Sequence, residues 1–168
     1  MEFENVIRNR ESIRSFSTRN VEKELLEKIL ESGRLAPTAK DLQPVKIYVI
    51  TNNKKLDKCT KCRYNAPVSL LVCGNKEEAW INDREDYPAL EVDSAIVATH
   101  MMLEATNVGV DSIWVRYFDT NALREEFDIP ENIVPVVLLN LGYRDENTYK
   151  PNPLHTRRKA IEEIVEYK

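Results

Sequence analysis

The chain has 168 residues, of which 42% are hydrophobic and 31% are charged, and this fits one compact domain around one main core. Its formal net charge of −4 argues against general nucleic-acid binding, which requires a clustered basic face. No apolar run approaches the ~20 residues that span a bilayer, and residues 1–20 lack the apolar region of a signal peptide. We therefore predict a single domain over residues 1–168 in a cytoplasmic protein, with no nucleic-acid or membrane partner.

Apolar periodicity in the first half of the chain predicts two helices followed by two strands. These four elements cover residues 1–9, 22–32, 45–51 and 68–74. Gly33 is the predicted end of the second helix, and a turn is predicted at Asn52-Asn53 after the first strand. A polar irregular segment (residues 10–20) separates the helices, and a loop bracketed by two prolines (residues 36–44) precedes the first strand.

The second half of the chain alternates predicted helices and strands. In chain order these are a helix over 91–107, a strand over 111–118, a helix over 121–127, a strand over 134–141 and a helix over 160–167, with loops over 75–90 and 143–156. The first of these helices is apolar on nearly all sides, so other elements or a second subunit must cover it. We interpret its His100 as a core histidine. The alternation indicates an α+β or α/β sandwich in which helices pack on a sheet.

Glycine and cysteine restrict the chemistry of any site. The four glycines are too far apart for the standard glycine-rich phosphate loops, so side chains would have to hold a phosphate, and arginine is the best candidate. Three cysteines are too few for a disulfide framework. Cys59 and Cys62 form a CxxC motif that can bind zinc or act as a redox pair, but its isolation favours incidental thiols.

Two basic clusters lie at opposite ends of this acidic chain. Arg10, Ser12 and Arg14 are two residues apart, which places them on the same side of an extended segment, where they could bind an anion. Residues 157–159 (Arg-Arg-Lys) form the second cluster. Chain termini often lie close together in a folded domain, and convergence of the two clusters would favour phosphate binding over a solvated basic turn.

The proline-bracketed loop is the other candidate site. Its small residues would let a flat ligand approach the backbone, and Thr38 and Gln43 could supply hydrogen bonds. The loop could equally be an ordinary connection between a helix and a strand.

Six segments of this chain, in order, resemble the FMN-dependent nitroreductases of the short single-domain branch. They are residues 10–16 (RESIRSF), 34–44 (RLAPTAKDLQP), 93–109 (a helix that begins with Asp and ends in A-x-x-x-G), 112–119, 129–143 (Ile-Pro to LNLGY) and 158–165 (RKAIEEIV). The resemblance implies an α+β fold, a three-layer α/β/α sandwich with a mixed, mainly antiparallel central sheet. It also implies an intertwined homodimer with two FMN sites at the subunit interface.

The resemblance further implies roles for individual residues. Arg10 and Ser12, with Glu11 between them, would hold the FMN phosphate together with Arg158, and Arg14 would approach the pyrimidine edge of the flavin and support the redox step electrostatically. The partner subunit would contribute Pro37, Thr38, Ala39 and Gln43, and Arg116 and Tyr117 would present backbone groups near flavin N5. No side chain is implied to be catalytic itself, and no metal is implied.

Four residues depart from the family pattern. Asp41 replaces the usual asparagine of the loop, which removes an amide donor, and Ala160 replaces a proline. Arg116 and Tyr117 are bulkier than the glycine that is frequent there. The short segment over 75–90 indicates that the longer lid of some relatives is absent.

The resemblance implies an FMN-dependent NAD(P)H oxidoreductase. NADH or NADPH would reduce the flavin, which would then reduce nitroaromatic, quinone or related acceptors by a ping-pong mechanism. Three alternatives stay open at this point: a non-enzymatic flavin-binding or storage protein, a CxxC-based zinc or thiol-redox protein, and a plain interaction module.

Overall fold

The computed structural model describes residues 1–51 and 53–168 as a sheet with helices on both of its faces. Its helices are α1 (Phe3–Asn9), α2 (Lys23–Arg34), α3 (Asn53–Leu56), α4 (Leu90–Asn107) and α5 (Thr120–Phe127). Its strands are β1 (Val45–Ile50), β2 (Val68–Asn75), β3 (Ile81–Asn82), β4 (Tyr87–Pro88), β5 (Asp111–Val115) and β6 (Ile133–Gly142). Short 3₁₀ turns cover Ala39–Asp41, Pro153–His155 and Ile161–Glu163. No helix within the described ranges is both long and apolar enough to cross a bilayer.

The central sheet has the strand order β1-β2-β6-β5, and neighbouring strands are antiparallel. Ser12 adds a parallel bridge to Ser112 at the β5 edge, so the sheet is mixed there. β2 and β6 lie at the centre and are buried along almost their whole length. Their sequences are continuously apolar because helices cover both faces of the sheet. The predicted mixed, mainly antiparallel sheet is confirmed.

Successive residues of the central strands face opposite layers, as the strand period of two requires. Leu70 and Leu139 belong to a core that contains residues of α2 and α4. Leu71 and Leu138 belong to a second core on the other face, which includes Ile13 of the N-terminal segment and residues of α3 and α5. The three-layer α/β/α sandwich is therefore confirmed.

The contact between α2 and α4 depends on Gly33. A Cβ at this position would come within 2.8 Å of the Met101 side chain, so glycine permits the close approach of the two helices. Gly33 was predicted to end α2, but the helix continues to Arg34. The close packing of α2 on α4, rather than the end of α2, explains why residue 33 is a glycine.

One face of α4 packs on the sheet and the other remains open in the single chain. Val97, Met101 and Ala105 recur at intervals of four residues and are buried, whereas Val92 and His100 are exposed. The interpretation of His100 as a core histidine is wrong for the single chain, because α4 turns this face away from the sheet. Packing within one chain therefore explains the apolar residues on the buried face of α4, but not those on its exposed face.

The C-terminal segment does not form the helix predicted over residues 160–167. Only Ile161–Glu163 make a 3₁₀ turn, and every residue from 160 to 168 is exposed. A helix this short is marginal in water unless its apolar face packs on another surface. Ile164 is 66% exposed, so one chain provides no such surface.

The turn predicted at Asn52-Asn53 includes Asn52, which lies outside the described residues. The predicted loop over 75–90 contains a small hairpin, because β3 and β4 pair over two residues.

Candidate functional site

The Arg10–Arg14 segment is extended and fixed along the edge of the sheet. The backbone N–H of Ile13 donates to the Ser112 carbonyl at 3.0 Å. Arg10 Nη1 donates to Ser12 Oγ at 3.3 Å, and Arg14 Nη1 donates to the Ser12 carbonyl at 3.4 Å. The two guanidinium groups therefore lie beside the same serine, as the spacing of two residues predicted.

Arg10 is half-buried without an ion-pair partner among the described residues. Burial lowers its pKa below the usual arginine value, and the nearby positive charge of Arg158 lowers it further, with only a smaller opposing effect from Glu11. Arg8, two residues earlier, differs because it donates to Glu4 at 2.7 and 3.0 Å. The local excess of positive charge is therefore concentrated at Arg10 and Arg158, and an anion would neutralise it.

The C-terminal cluster approaches the N-terminal one, which is the condition under which phosphate binding is favoured over a solvated basic turn. A cleft of about 540 Å³ lies between α1 and the segment 155–158, with Arg8 on one side and Arg158 on the other. Arg158 Nη1 donates to the Arg157 carbonyl at 2.7 Å and to the Leu154 carbonyl at 3.3 Å. Backbone contacts therefore hold this guanidinium, and no carboxylate within residues 1–51 or 53–168 forms an ion pair with it.

Glu11 belongs to a polar network that the sequence analysis did not predict. Its carboxylate accepts from the Tyr149 hydroxyl at 2.7 Å and from the Asn152 backbone N–H at 3.4 Å, and it lies 3.8 Å from Arg144 Nη1. Arg144 in turn donates to both oxygens of Asp111, at 2.6 and 3.0 Å. This network anchors the chain just before the C-terminal cluster. Its members are far apart in sequence, so no local motif could have identified them.

The 36–44 loop contains three non-glycine residues with left-handed backbone. Lys40, Asp41 and Gln43 have φ values of 51°, 54° and 52°. Such conformations cost free energy and tend to persist at functional sites. Gln43 N–H donates to Thr38 Oγ1 at 2.9 Å, which holds the loop closed. This geometry favours a binding loop over an ordinary connection.

Asp93 fixes the loop to the first turn of α4. Its side chain is 2% exposed, and Oδ1 accepts from the Ala39 backbone N–H at 2.9 Å, whereas Oδ2 has no partner among the described residues. Asp41 accepts from Gln43 Nε2 at 3.0 Å. The Asp41 carboxylate is therefore used within the loop.

Arg116 and Tyr117 follow β5 and are both exposed, Tyr117 at 76%. The Arg116 guanidinium lies over the Phe118 ring, 5.0 Å from its centroid. The Tyr117 carbonyl accepts from Thr60 Oγ1 at 2.6 Å, which joins this segment to the CxxC motif. The side chains of Arg116 and Tyr117 are therefore exposed to solvent on the surface of the single chain.

The three cysteines are free thiols. Burial raises the pKa of Cys73 to about 12 and also raises that of Cys59, so both resist forming the reactive thiolate. Within the described parts of the chain, no group of three or more histidine, cysteine or acidic residues could hold a metal.

The two halves of the candidate site lie at opposite ends of α4. The 36–44 loop is attached at Asp93, whereas Met1, just before α1, donates from its terminal amine to Asn107 Oδ1 at 2.8 Å, and the Arg10–Arg14 segment follows α1. Fourteen residues of α-helix separate Asp93 from Asn107, which is about 20 Å. One chain therefore does not bring Thr38 and Gln43 to Arg10 and Ser12.

Comparison with known proteins gives consistent matches over this chain. The nitroreductase family model matches residues 7–66 and 60–143. A solved nitroreductase family protein from Clostridium difficile 630 is 38% identical, with 100% of this chain and 99% of that chain covered and a TM-score of 0.93. An FMN-dependent nitroreductase from Clostridium difficile R20291 is 26% identical, with 98% of each chain covered and a TM-score of 0.76. A curated relative from Archaeoglobus fulgidus, provisionally named NADH dehydrogenase/NAD(P)H nitroreductase, is 30% identical over 86% of this chain and 87% of its own length.

Proposed function

Because this chain belongs to the nitroreductase family, we propose that it is an FMN-dependent oxidoreductase that uses NADH or NADPH to reduce nitroaromatic, quinone or related acceptors. The observation that carries the proposal is the approach of the C-terminal segment to the N-terminal one, where Arg8 and Arg158 line the same cleft. Neither Arg10 nor Arg158 forms an ion pair with a carboxylate in the described residues, and Arg10 donates to Ser12 Oγ at 3.3 Å.

This donor set fits the phosphate of FMN. Guanidinium forks and a hydroxyl are the groups that bind a phosphate dianion when no glycine-rich loop is present. Placing Arg10 in a half-buried position costs free energy, and a bound dianion recovers that cost. Glu11 would contribute by holding the C-terminal segment in place, since its carboxylate already accepts from Tyr149 and Asn152.

Arg14 is the residue that we assign to the flavin ring. When bound, FMN supplies the redox chemistry, by accepting a hydride from NADH or NADPH and reducing the acceptor in a second, separate half-reaction. The Arg14 guanidinium would stabilise the negative charge that reduction places at the pyrimidine edge. The Ser12 carbonyl holds Arg14 on the same side of the segment as Arg10, which is the side that we assign to the flavin.

A homodimer would complete the site. The half-sites at the two ends of α4 are about 20 Å apart in one chain, so we assign Pro37, Thr38, Ala39 and Gln43 to the FMN of a partner subunit. Large apolar side chains are also exposed on α1, α4 and the C-terminal segment: Phe3, Ile7, Val92, Leu154, Ile161, Ile164 and Val165. Exposed apolar surface of this extent is typical of subunit interfaces.

The proposal is tested on the purified protein, reconstituted with FMN if necessary. We expect one FMN per subunit, a dimer in sedimentation experiments, and steady NADH or NADPH oxidation with menadione or a nitroarene. Protein that binds no flavin after reconstitution would overturn the proposal. Stoichiometric flavin without NADH or NADPH oxidation would instead support a storage protein.

A further inference from the structure

A buried polar pair interrupts the apolar centre of the sheet. Asn140 of β6 and Ser69 of β2 are paired across the two central strands, and both are 0% exposed. Ser69 Oγ donates to Asn140 Oδ1 at 2.7 Å. The neighbours of Asn140 in β6, residues 136–139 and 141, are all buried and apolar. A polar side chain in such a position costs free energy unless its groups are hydrogen-bonded, so we expect Asn140 to make a contact that an apolar residue could not make.

That contact is with the loop that precedes β2. Asn140 Nδ2 donates to the Cys62 carbonyl at 2.8 Å and to the Arg63 carbonyl at 3.3 Å. The next two residues, Tyr64 and Asn65, have φ values of 57° and 64°. Successive non-glycine residues with left-handed backbone cost free energy and persist only where surrounding contacts hold them. The buried amide supplies such contacts, and we call residues 62–65 the anchored loop.

The anchored loop is bonded to the N-terminal segment that carries Arg14. The Phe16 backbone N–H, two residues beyond Arg14, donates to the Tyr64 carbonyl at 3.0 Å. The Tyr64 side chain is half-buried against the core that also contains Ile13. Hydrogen bonding with the Cys62 thiol raises the pKa of Tyr64, burial raises it further, and the Arg14 guanidinium lowers it. The Tyr64 hydroxyl therefore lies beside both Cys62 and Arg14.

Arg14 has little else to hold its guanidinium in one place. Its side chain is exposed, and the hydrogen bond from its Nη1 to the Ser12 carbonyl is long, at 3.4 Å. It forms no ion pair with a carboxylate in residues 1–51 or 53–168. A long exposed side chain has many rotamers, so its charge occupies one position only where neighbouring groups restrict it. Tyr64 is such a neighbour.

We propose that Asn140 and Tyr64 are positioning residues for Arg14: Asn140 fixes the backbone of the anchored loop, and the Tyr64 hydroxyl restricts the guanidinium to the pyrimidine edge of the flavin. The proposal rests on the proposed function, because it explains how the cation assigned to that edge is held there. A cation held in place stabilises a nearby negative charge more than a mobile one, since it does not have to reorganise when the charge develops. Cys62, the second cysteine of the CxxC motif, then acts as a hydrogen-bond partner of Tyr64.

The first test is the two-electron midpoint potential of bound FMN in Tyr64→Phe, which removes the hydroxyl and keeps the ring. We expect the preference of the protein for reduced over oxidised FMN to fall about threefold, the scale of one hydrogen bond. This corresponds to a potential about 15 mV lower for a two-electron couple. In an Arg14→Ala background, Tyr64→Phe should leave the potential unchanged, because the guanidinium on which the hydroxyl acts is absent.

Tyr48→Phe is the matched control. Tyr48 is a half-buried tyrosine that packs on the same core as Tyr64, but it lies in β1, at the edge of the sheet opposite β5. Its substitution should leave the potential unchanged, with and without Arg14.

Asn140→Leu tests the other residue, because it leaves the Cys62 and Arg63 carbonyls without their donor. It should lower the potential as Tyr64→Phe does, and the two substitutions together should lower it little further, since both act on Arg14. Ser69→Ala removes only the hydrogen bond to Asn140 Oδ1 and should give a smaller shift in the same direction. If Asn140→Leu does not fold, Ser69→Ala and Tyr64→Phe still decide the proposal.

A second measurement needs no flavin. In the apoprotein, the Arg14 Nε–H signal in ¹⁵N NMR is identified by its loss in Arg14→Ala. This signal should move in Tyr64→Phe and Ser69→Ala but not in Tyr48→Phe, because only the first two substitutions change the surroundings of the guanidinium.

The outcomes separate this proposal from the proposed function. An unchanged potential in Tyr64→Phe, or a shift that persists in the Arg14→Ala background, overturns the positioning role and leaves the oxidoreductase intact. An unchanged Arg14 signal in the apoprotein does the same. Protein that binds no flavin after reconstitution overturns the proposed function itself, and with it the assignment of Arg14 to the flavin edge.

Discussion

Arg10 and Arg144 are both half-buried and both lie close to Glu11, but they are surrounded by different charges. Arg144 donates to Asp111, lies near Glu11 and stacks on Tyr149, 4.6 Å from the ring centroid. The hydrogen bond to Asp111 raises the pKa of Arg144, whereas burial and Arg158 lower that of Arg10.

This contrast distinguishes a structural arginine from a binding one. The native surroundings of Arg144 favour its charge and so stabilise the fold. Those of Arg10 disfavour its charge, because burial and Arg158 lower its pKa, so its charge does not stabilise the apo fold as that of Arg144 does. An anion bound beside Arg10 would favour the charged form of its guanidinium.

The largest expected effect is on the Arg144 network. Arg144→Ala leaves Asp111 and Glu11 partly buried without their cation, and should lower the free energy of unfolding by about 2–3 kcal/mol. Urea denaturation measures this change. Arg8→Ala, which breaks an exposed pair with Glu4, should cost less than about 1 kcal/mol. Equal losses in the two variants would remove the distinction between these arginines.

The complementary variants remove the unpaired cations. Arg10→Gln and Arg158→Gln should each weaken FMN binding by about 1.5–3 kcal/mol, the value of a hydrogen bond to a charged group, without lowering the unfolding free energy of the apoprotein. Titration of apoprotein with FMN and with riboflavin isolates the phosphate contribution, since riboflavin binding should change little. Full FMN occupancy in the double variant would contradict both assignments.

Arg14 should affect the flavin rather than the phosphate. Arg14→Ala should lower the two-electron midpoint potential of bound FMN by about 30 mV, which corresponds to about 1.4 kcal/mol, because the reduced form loses a stabilising cation. Arg14→Lys should restore part of this shift. An anaerobic redox titration measures the potential, and an unchanged value in Arg14→Ala would exclude the role.

The smallest expected effect concerns the exposed cluster formed by Arg19, Glu22 and Tyr143. Hydrogen bonds from Tyr143 and Arg19 lower the pKa of Glu22 from 4.5 to about 2. Since the folded pKa is depressed, this carboxylate stabilises the fold above pH 4.5, and its contribution is lost as the pH falls from about 4.5 to about 2. Glu22→Gln should make the unfolding free energy less dependent on pH in this window. The effect should be small, because solvent screens exposed pairs.

Local pattern was sufficient for most of the fold. The apolar runs of β2 and β6 and the periodicity of α2 and α4 predict these elements, since burial on one or both faces determines which residues each element tolerates. The spacing of Arg10, Ser12 and Arg14 likewise placed them together. The helix predicted over residues 160–167 is wrong, because its apolar residues lack a packing surface in one chain.

The sequence by itself determined the order of the elements, the buried central strands and the presence of basic clusters at both chain ends, because these depend on residue type and short spacing. It predicted one main core, whereas the structure divides the apolar residues into two cores on opposite faces of the sheet. Only the tertiary structure decided which charges are neutralised. Glu11 meets Tyr149 across 138 residues, and Arg144 meets Asp111 across 33. Charges neutralise each other through space over a few ångströms, whatever their separation in sequence. Two arginines that the sequence does not distinguish therefore differ in the structure: Arg144 forms an ion pair, and Arg10 forms none among the described residues.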